Sequence, residues 1–60
     1  MKKKILVVDD EPDILQVITF RLDKAGYEVT GVSNGEEALR IIGKDRQDLI
    51  LLDVMMPGLD

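Results

Sequence analysis

The fold is decided by the stretch Asp48-Leu49-Ile50-Leu51-Leu52-Asp53-Val54-Met55-Met56-Pro57-Gly58. Its four consecutive large apolar residues, 49–52, predict a strand that is buried on both faces. The strand leads directly into one carboxylate, Asp53, which is followed by a Pro-Gly turn signal. Ligands of open parallel α/β sheets bind beyond the carboxyl ends of the strands, so an acid at this point is a candidate reactive group.

A similar apolar run lies near the start of the chain. Ile5-Leu6-Val7-Val8 is followed by Asp9-Asp10-Glu11-Pro12, which again places acids after a predicted buried strand. Proline suits the first turn of a helix, because its missing N–H would have no partner there. We therefore predict that a helix begins near Pro12, with Asp10 or Glu11 as its cap.

The next segments continue the alternation of helix and strand. Apolar residues at helical spacing predict a helix with one buried stripe, which ends at Gly26. Residues 27–32 alternate apolar and polar side chains, as expected of a strand near the edge of a sheet. The members of the helical stripe are Ile14, Val17, Ile18, Leu22 and Ala25.

A second helix is predicted after Ser33-Asn34-Gly35-Glu36-Glu37. Either Asn34 with Glu37 or Ser33 with Glu36 has the spacing of a capping box. Gly43 is expected to end the helix, and residues 44–48 form a charged, solvated connector. The predicted buried side consists of Ala38, Leu39, Ile41 and Ile42.

These elements predict an α/β fold in which three strands alternate with two helices. Short connections between the elements require a parallel sheet with right-handed crossovers. If the two crossovers run to opposite sides of the first strand, the strand order is 2-1-3. The carboxyl ends of the first and third strands then flank the point where ligands bind.

Composition excludes several classes of site and partner. Sixty residues allow one small domain, and the chain has neither histidine nor cysteine, so imidazole and thiolate ligands are excluded. A net charge of −4 gives no electrostatic basis for nucleic acid binding by this segment. The apolar run after Lys2 to Lys4 is too short for a signal peptide, and no run is long enough to cross a membrane. We expect a cytoplasmic chain with no membrane association.

The predicted topology brings Asp9 and Asp10 beside Asp53. Taken singly, Asp9 or Asp10 is compatible with a helix-capping acid, and Asp53 with a turn or cap residue. Together, three carboxylates near one point repel one another unless a cation offsets their charge. An oxygen-only set of ligands suits Mg²⁺, so the sequence predicts a magnesium and phosphate site at this edge of the sheet.

Three motifs in order resemble the first half of a response regulator receiver domain of two-component signalling. They are residues 5–12, the Asn-Gly-Glu-Glu-Ala-Leu run at 34–39, and residues 49–58. The resemblance covers essentially all of residues 1–60. It implies the first three strands and two helices of a doubly wound, flavodoxin-like sheet.

The resemblance also implies roles for individual residues. Asp53 matches the aspartate that accepts a phosphoryl group from a phosphohistidine on a partner sensor histidine kinase. Asp10 matches the acid that ligates Mg²⁺ directly, and Asp9 matches the neighbour that acts through a water molecule. Met55 matches the position whose backbone carbonyl completes the protein ligands.

The chain departs from the family pattern in length. It does not contain the Ser/Thr that follows the fourth strand or the Lys that follows the fifth, so phosphorylation is expected to be impaired. The strand 49–52, central in the family, becomes a bare edge. We expect the sheet to be completed by dimerisation or swapping, with a homodimer or other homo-oligomer formed through Leu49–Leu52.

Two alternative functions follow from the same residues. One is a non-catalytic folding unit that assembles with itself and carries the acids only as vestiges. The other is a phosphatase class whose nucleophile ends the first strand and whose second acid follows two residues later. Asp9 and Asp10 are adjacent and residue 11 is Glu, so the sequence does not fit that second class.

Overall fold

The computed structural model describes residues 2–52. Within this range three strands alternate with two helices, as the sequence predicts. The elements are β1 (Lys4–Val8), α1 (Pro12–Lys24), β2 (Glu28–Val32), α2 (Gly35–Lys44) and β3 (Leu49–Leu52).

The strands form one parallel sheet in the order β2-β1-β3. Val8 at the end of β1 pairs with Val32 on one side and with Leu52 on the other. The central position of β1 explains its continuous apolar sequence, because a strand between two neighbours with a helix on each face exposes neither face. The predicted strand order is confirmed.

The core lies around the carboxyl half of β1. Leu6 and Val8 are buried with Val32 and Ala38, and Ile41 of α2 packs against them. Side chains alternate between the two faces of a strand, so Leu6 and Val8 share the face that α2 covers. The end of β1 that precedes Asp9 therefore belongs to the buried core of residues 2–52.

Helix α1 packs on the opposite face, close to β2. At Gly31 the helix approaches so closely that a Cβ atom would lie 2.9 Å from Cγ2 of Thr19 and 3.1 Å from Cδ1 of Leu15. Any larger side chain at residue 31 would push the helix away from the sheet. This contact sets how α1 lies over β1 and β2.

The helix ends differ in part from the predictions. The N-cap of α1 is Glu11, but neither its side chain nor that of Asp10 caps the helix; Asp9 Oδ1 accepts a hydrogen bond from Glu11 N instead. Gly26 has a φ of 102°, which confirms the left-handed stop after α1. The predicted stop at Gly43 was wrong, because α2 continues to Lys44.

Asn34 caps the second helix, since its side chain accepts a hydrogen bond from Glu37 N at 2.9 Å. This bond selects one of the two capping boxes that the sequence allows. The first turn of α2 also carries Glu36 and Glu37, whose charges complement the positive end of the helix dipole.

Burial of the helices was overestimated from their apolar periods. The apolar positions predicted to be buried that are in fact exposed are Ile14, Val17, Ala25, Leu39 and Ile42. Leu39 is the extreme case, with 72% of its surface accessible. A helical period shows which residues share a face, but that face is buried only where another element covers it.

Strand β3 is an edge of the sheet, and all four of its residues are exposed, by 37–64%. Burial on both faces, which the apolar pattern alone predicts, was wrong, whereas the expected edge position is confirmed within residues 2–52. In this range β3 pairs with β1 alone, and no Cα atom of either helix lies within 8 Å of a β3 Cα atom. Its apolar sequence is therefore not matched by cover from the described part of the chain.

Candidate functional site

The two acid-bearing strands end side by side. Val8 and Leu52 are paired across the parallel ladder, and Asp9 is the next residue after Val8. Asp53 is the next residue after Leu52, but it lies outside the described residues, as does Met55. The structure thus gives the surroundings of two of the four predicted site residues.

Asp9 is held rigidly at the end of β1. Only 5% of its surface is accessible, and it is the one polar or charged residue buried among residues 2–52. Its backbone N–H donates to Val32 O at 3.1 Å, and its Oδ1 accepts from Glu11 N at 2.9 Å. The first bond ties the Asp9 backbone to the end of β2, and the second ties its carboxylate to the residue that precedes α1.

Asp10 lies in the turn between β1 and α1 and is exposed to solvent. Within the described range, no lysine or arginine side chain forms a salt bridge with Asp9 or Asp10. Among residues 2–52, the two adjacent carboxylates therefore have no lysine or arginine nitrogen within 4 Å. This is the electrostatic setting in which a metal cation is favourable.

A complete metal site is not defined by the described residues alone. In residues 2–52, no group of three acidic, histidine or cysteine side chains is arranged to hold a metal ion. The predicted set needs Asp53 and Met55, which lie beyond that range. The magnesium site therefore stays a prediction.

A second group of acids lies at the opposite, amino-terminal end of the sheet. Lys4 Nζ lies 2.5 Å from Asp45 Oδ1 and 3.8 Å from Glu28 Oε2. The backbone N–H of Lys4 donates to Asp48 Oδ2 at 2.7 Å. One residue of β1 thus joins the start of β2, the end of α2 and the start of β3.

The acids around Lys4 also affect its protonation. The hydrogen bond to Asp45 raises the pKa of the Lys4 ammonium above its usual value of 10.5. The charged pattern of residues 44–48 predicts only a solvated connector and does not indicate this group. Asp45 and Asp48 lie 41 and 44 residues from Lys4, and no local signal in the sequence links them.

Neither α1 nor α2, the helices found between residues 2 and 52, is long and apolar enough to cross a membrane.

The model of the response regulator receiver domain family matches residues 5–60. The alkaline phosphatase synthesis transcriptional regulatory protein PhoP of Bacillus subtilis is 52% identical over the whole chain. A probable transcriptional regulator, ycf27, of Porphyra purpurea is 58% identical over 98% of the chain. The chain spans about a quarter of the length of these two relatives, 25% and 24% respectively.

Two solved structures extend the comparison to the backbone. The chemotaxis response regulator CheY4 of Vibrio cholerae superimposes with a TM-score of 0.88 at 42% identity, covering 98% of this chain and 49% of its own. A chain of the crystal structure of the histidine kinase ThkA in complex with the response regulator TrrA superimposes with a TM-score of 0.81 at 48% identity, covering 93% of this chain and 48% of its own. With three strands in the order β2-β1-β3 and a family match over nearly its full length, the chain belongs to the response regulator receiver domains of two-component signalling.

Proposed function

We propose that this chain is the phosphoacceptor part of a receiver domain. Asp53 accepts a phosphoryl group, and Mg²⁺ is held by Asp10, Asp53 and the backbone carbonyl of Met55, with Asp9 acting through a water molecule. The proposal rests on the family membership and on the acids that follow β1 and β3 in the sequence.

The observation that carries the proposal is the pairing of Val8 with Leu52. Neighbouring strands lie about 4.8 Å apart, so the ends of β1 and β3 are close together. Asp53 is bonded to Leu52, and consecutive α carbons are about 3.8 Å apart. This proximity of the two strand ends supports the proposal that the acceptor and the acids after β1 share one small ion.

The described residues fit a magnesium ion. Asp9 uses one oxygen for the Glu11 N–H, and a carboxylate has about four lone-pair sites, so acceptor capacity remains for a water molecule. Asp10 is solvent-exposed, and no described lysine or arginine forms a salt bridge with it. Carboxylate, carbonyl and water oxygens are the ligands that Mg²⁺ prefers. When bound, the ion neutralises phosphoryl oxygens during transfer.

The chemistry assigned to the protein is a single displacement. A carboxylate oxygen of Asp53 forms a bond to phosphorus while the bond from phosphorus to the donor's imidazole nitrogen breaks. Attack of one anion on another is slow unless the groups are aligned and the charge is offset. The hydrogen bonds that fix Asp9 to Val32 and Glu11 hold the metal-binding side of the site in place before the donor arrives.

A sensor histidine kinase is the proposed phosphoryl donor. These 60 residues contain no histidine, which is consistent with a phosphohistidine that is supplied from outside this segment. The solved complex of the kinase ThkA with the regulator TrrA, a structural neighbour of this chain, supports that pairing.

The test is labelling by acetyl phosphate, followed by intact mass spectrometry. We expect the chain to gain one phosphoryl group when Mg²⁺ is present and to lose this gain when the ion is chelated. Asp53→Asn removes the nucleophile and should abolish labelling. Labelling that is unchanged in Asp53→Asn would sink the proposal.

The matched control is Asp48→Asn, which removes an acid before the same strand. The asparagine oxygen can still accept the hydrogen bond from Lys4 N, so the fold is retained. Labelling of this variant should equal that of the unaltered chain. A comparable loss in both variants would show that acid content, and not Asp53, governs labelling.

One observation favours a second candidate function, a non-catalytic unit that assembles with its own copies. All four residues of β3 are apolar and exposed. A chain that self-associates, does not label and does not bind Mg²⁺ would support this function over the first.

A further inference from the structure

Helix α1 begins with a poor capping residue although a good one lies beside it. Its N-cap is Glu11, whose side chain makes no capping hydrogen bond. Aspartate is among the residues that cap helices best and glutamate is not, yet Asp10 is the preceding residue. A start one residue earlier would place Asp10 at the N-cap, where its carboxylate would accept from the first backbone N–H groups of the helix. The observed start leaves that carboxylate outside the helix.

Pro12, the first residue of α1, accounts for this start. The ring of a proline clashes with the preceding residue when that residue is helical, and favours an extended conformation there. Glu11 has a φ of −96° and a ψ of 109°, which is extended backbone. A helix that begins before Pro12 is therefore disfavoured, and so is Asp10 as its N-cap.

Pro12 also lacks a backbone N–H. Aspartate side chains commonly accept a hydrogen bond from the backbone N–H two residues later. Asp9 does so, since its Oδ1 lies 2.9 Å from Glu11 N. For Asp10 the corresponding N–H would belong to residue 12, where proline has none. Among residues 2–52, no group donates a hydrogen bond to the Asp10 carboxylate. One of the two adjacent acids is thus tied to the turn, and the other is not.

The second helix shows the arrangement that α1 avoids. Asn34 follows β2 as Asp10 follows β1, and its side chain accepts a hydrogen bond from Glu37 N at 2.9 Å. Both helices start at the same end of the sheet, but only α2 has a side-chain cap. A polar side chain in this position can therefore cap a helix, and α1, which begins with Pro12, forgoes that stabilising contact.

We propose that Pro12 is a positioning residue for the metal site, which keeps the Asp10 carboxylate out of the cap of α1 and available to Mg²⁺. The inference rests on the proposed function of Asp10 as a direct ligand, and it requires no contact between Pro12 and the ion. A carboxylate that caps a helix is aimed at the N–H groups of the first turn, so binding an ion elsewhere would cost those hydrogen bonds.

The test replaces Pro12 with alanine, which restores the N–H and removes the ring. Without Mg²⁺, amide hydrogen exchange should show new protection at position 12 or at Asp13, as the Asp10 side chain begins to cap the helix. Mg²⁺ binding, measured by isothermal titration calorimetry, should weaken about threefold to tenfold, because the ion must displace these hydrogen bonds. The urea midpoint of unfolding should change little, since the new cap offsets the loss of the proline's restriction on the unfolded chain.

Asn34→Ala is the matched control, because it removes the cap of α2. It should lower the urea midpoint and leave the Mg²⁺ affinity unchanged. The proposal would be overturned if Pro12→Ala bound Mg²⁺ as tightly as the unaltered chain, or lost affinity without new amide protection. An equal loss of affinity in both variants would also overturn it, since weakened helix starts in general would then explain the loss.

Failure of the proposed function and failure of this inference give different results. An unaltered chain that does not bind Mg²⁺ contradicts the proposed function, while exchange without the metal still shows whether Pro12 sets the helix start. If Pro12→Ala does not fold, exchange in the unaltered chain decides. The amide of Glu11, bonded to Asp9, should then exchange more slowly than those of Asp13 and Ile14 in the first turn. Equal protection of all three amides would mean that the first turn is already capped, and would overturn the inference.

Discussion

Acidic residues lie at both ends of the sheet, but only those at the amino end contact a lysine among residues 2–52. At the amino end, Glu28 and Asp45 flank the ammonium of Lys4, and Asp48 accepts its backbone N–H. At the carboxyl end, within residues 2–52, Asp9 and Asp10 have no lysine or arginine partner.

The difference separates structural acids from candidate functional ones. The ammonium of Lys4 pairs with two of the three acids around it, and the contacts of Lys4 join four elements at one point. The acids after β1 form no salt bridge with a lysine or arginine among residues 2–52. Acid content is similar at the two ends, so the presence or absence of a cationic partner is what marks the candidate site.

Burial adds to the contrast. Asp9 is almost fully buried, whereas the Asp45 side chain is about half exposed. A buried carboxylate without a counter-ion is costly unless hydrogen bonds or a metal stabilise it. The protein supplies Asp9 with one backbone donor, Glu11 N, and the proposed Mg²⁺ would supply the rest through water.

The largest expected effect is on Mg²⁺ affinity. Asp10→Asn removes a charged direct ligand at the carboxyl end and should weaken Mg²⁺ binding by about tenfold or more, or roughly 1.4 kcal/mol. Asp45→Asn removes an acid at the amino end and should leave the affinity unchanged. Isothermal titration calorimetry measures the Mg²⁺ affinity of both variants. An equal loss of affinity in both would contradict the proposed difference between the two ends of the sheet.

A smaller effect is expected on stability when Lys4 is replaced. Lys4→Met removes the ion pairs at the amino end, so the urea midpoint of unfolding should fall slightly at neutral pH. Folding raises the Lys4 pKa, so its contribution is complete below the usual value of 10.5 and is lost as pH rises through the folded-state value. The difference between Lys4→Met and the unaltered chain should therefore vanish at high pH.

The control for this change is Lys3→Met, which alters an exposed neighbouring lysine. Lys4 is the one lysine in the described ion pairs, so Lys3→Met should not move the midpoint. Equal falls for the two variants would mean that overall charge, and not the contacts of Lys4, sets the stability.

Much of the fold could be predicted from local patterns. The apolar runs 5–8 and 49–52 identify strands because strands of parallel sheets are covered on both faces, and Pro12 and Asn34 mark where helices begin. The strand order 2-1-3 required the further assumption that the two crossovers run to opposite sides of the first strand, and the observed sheet agrees with it. These features depend on residues that are close in the sequence.

The errors arose where distant parts of the chain decide the outcome. The apolar pattern of 49–52 predicts cover on both faces, but no helix among residues 2–52 supplies it. Leu39 shares a helical face with apolar neighbours and yet has nothing packed on it. The partners of Lys4 depend on contacts over more than 40 residues, as shown by its bonds to Asp45 and Asp48.

The candidate site, like the fold, could be predicted only in part from local sequence. The acids after β1 could be identified from the sequence, because they follow a strand whose position is predictable. That Asp9 accepts a hydrogen bond from Glu11 N could not be predicted, because this bond depends on the geometry of the turn. The turn buries Asp9 and exposes Asp10, and this distinguishes the two adjacent acids.

A titration of the ¹⁵N-labelled chain with Mg²⁺, followed by amide chemical shifts, tests the proposed division between the two ends most directly. We predict that the amides of Asp9, Asp10 and the residues after Leu52 shift and saturate together, while those of Lys4, Asp45 and Asp48 stay in place. Shifts centred on Lys4 and its acids, or no saturable shift at the carboxyl end, would contradict the assignment of the functional site.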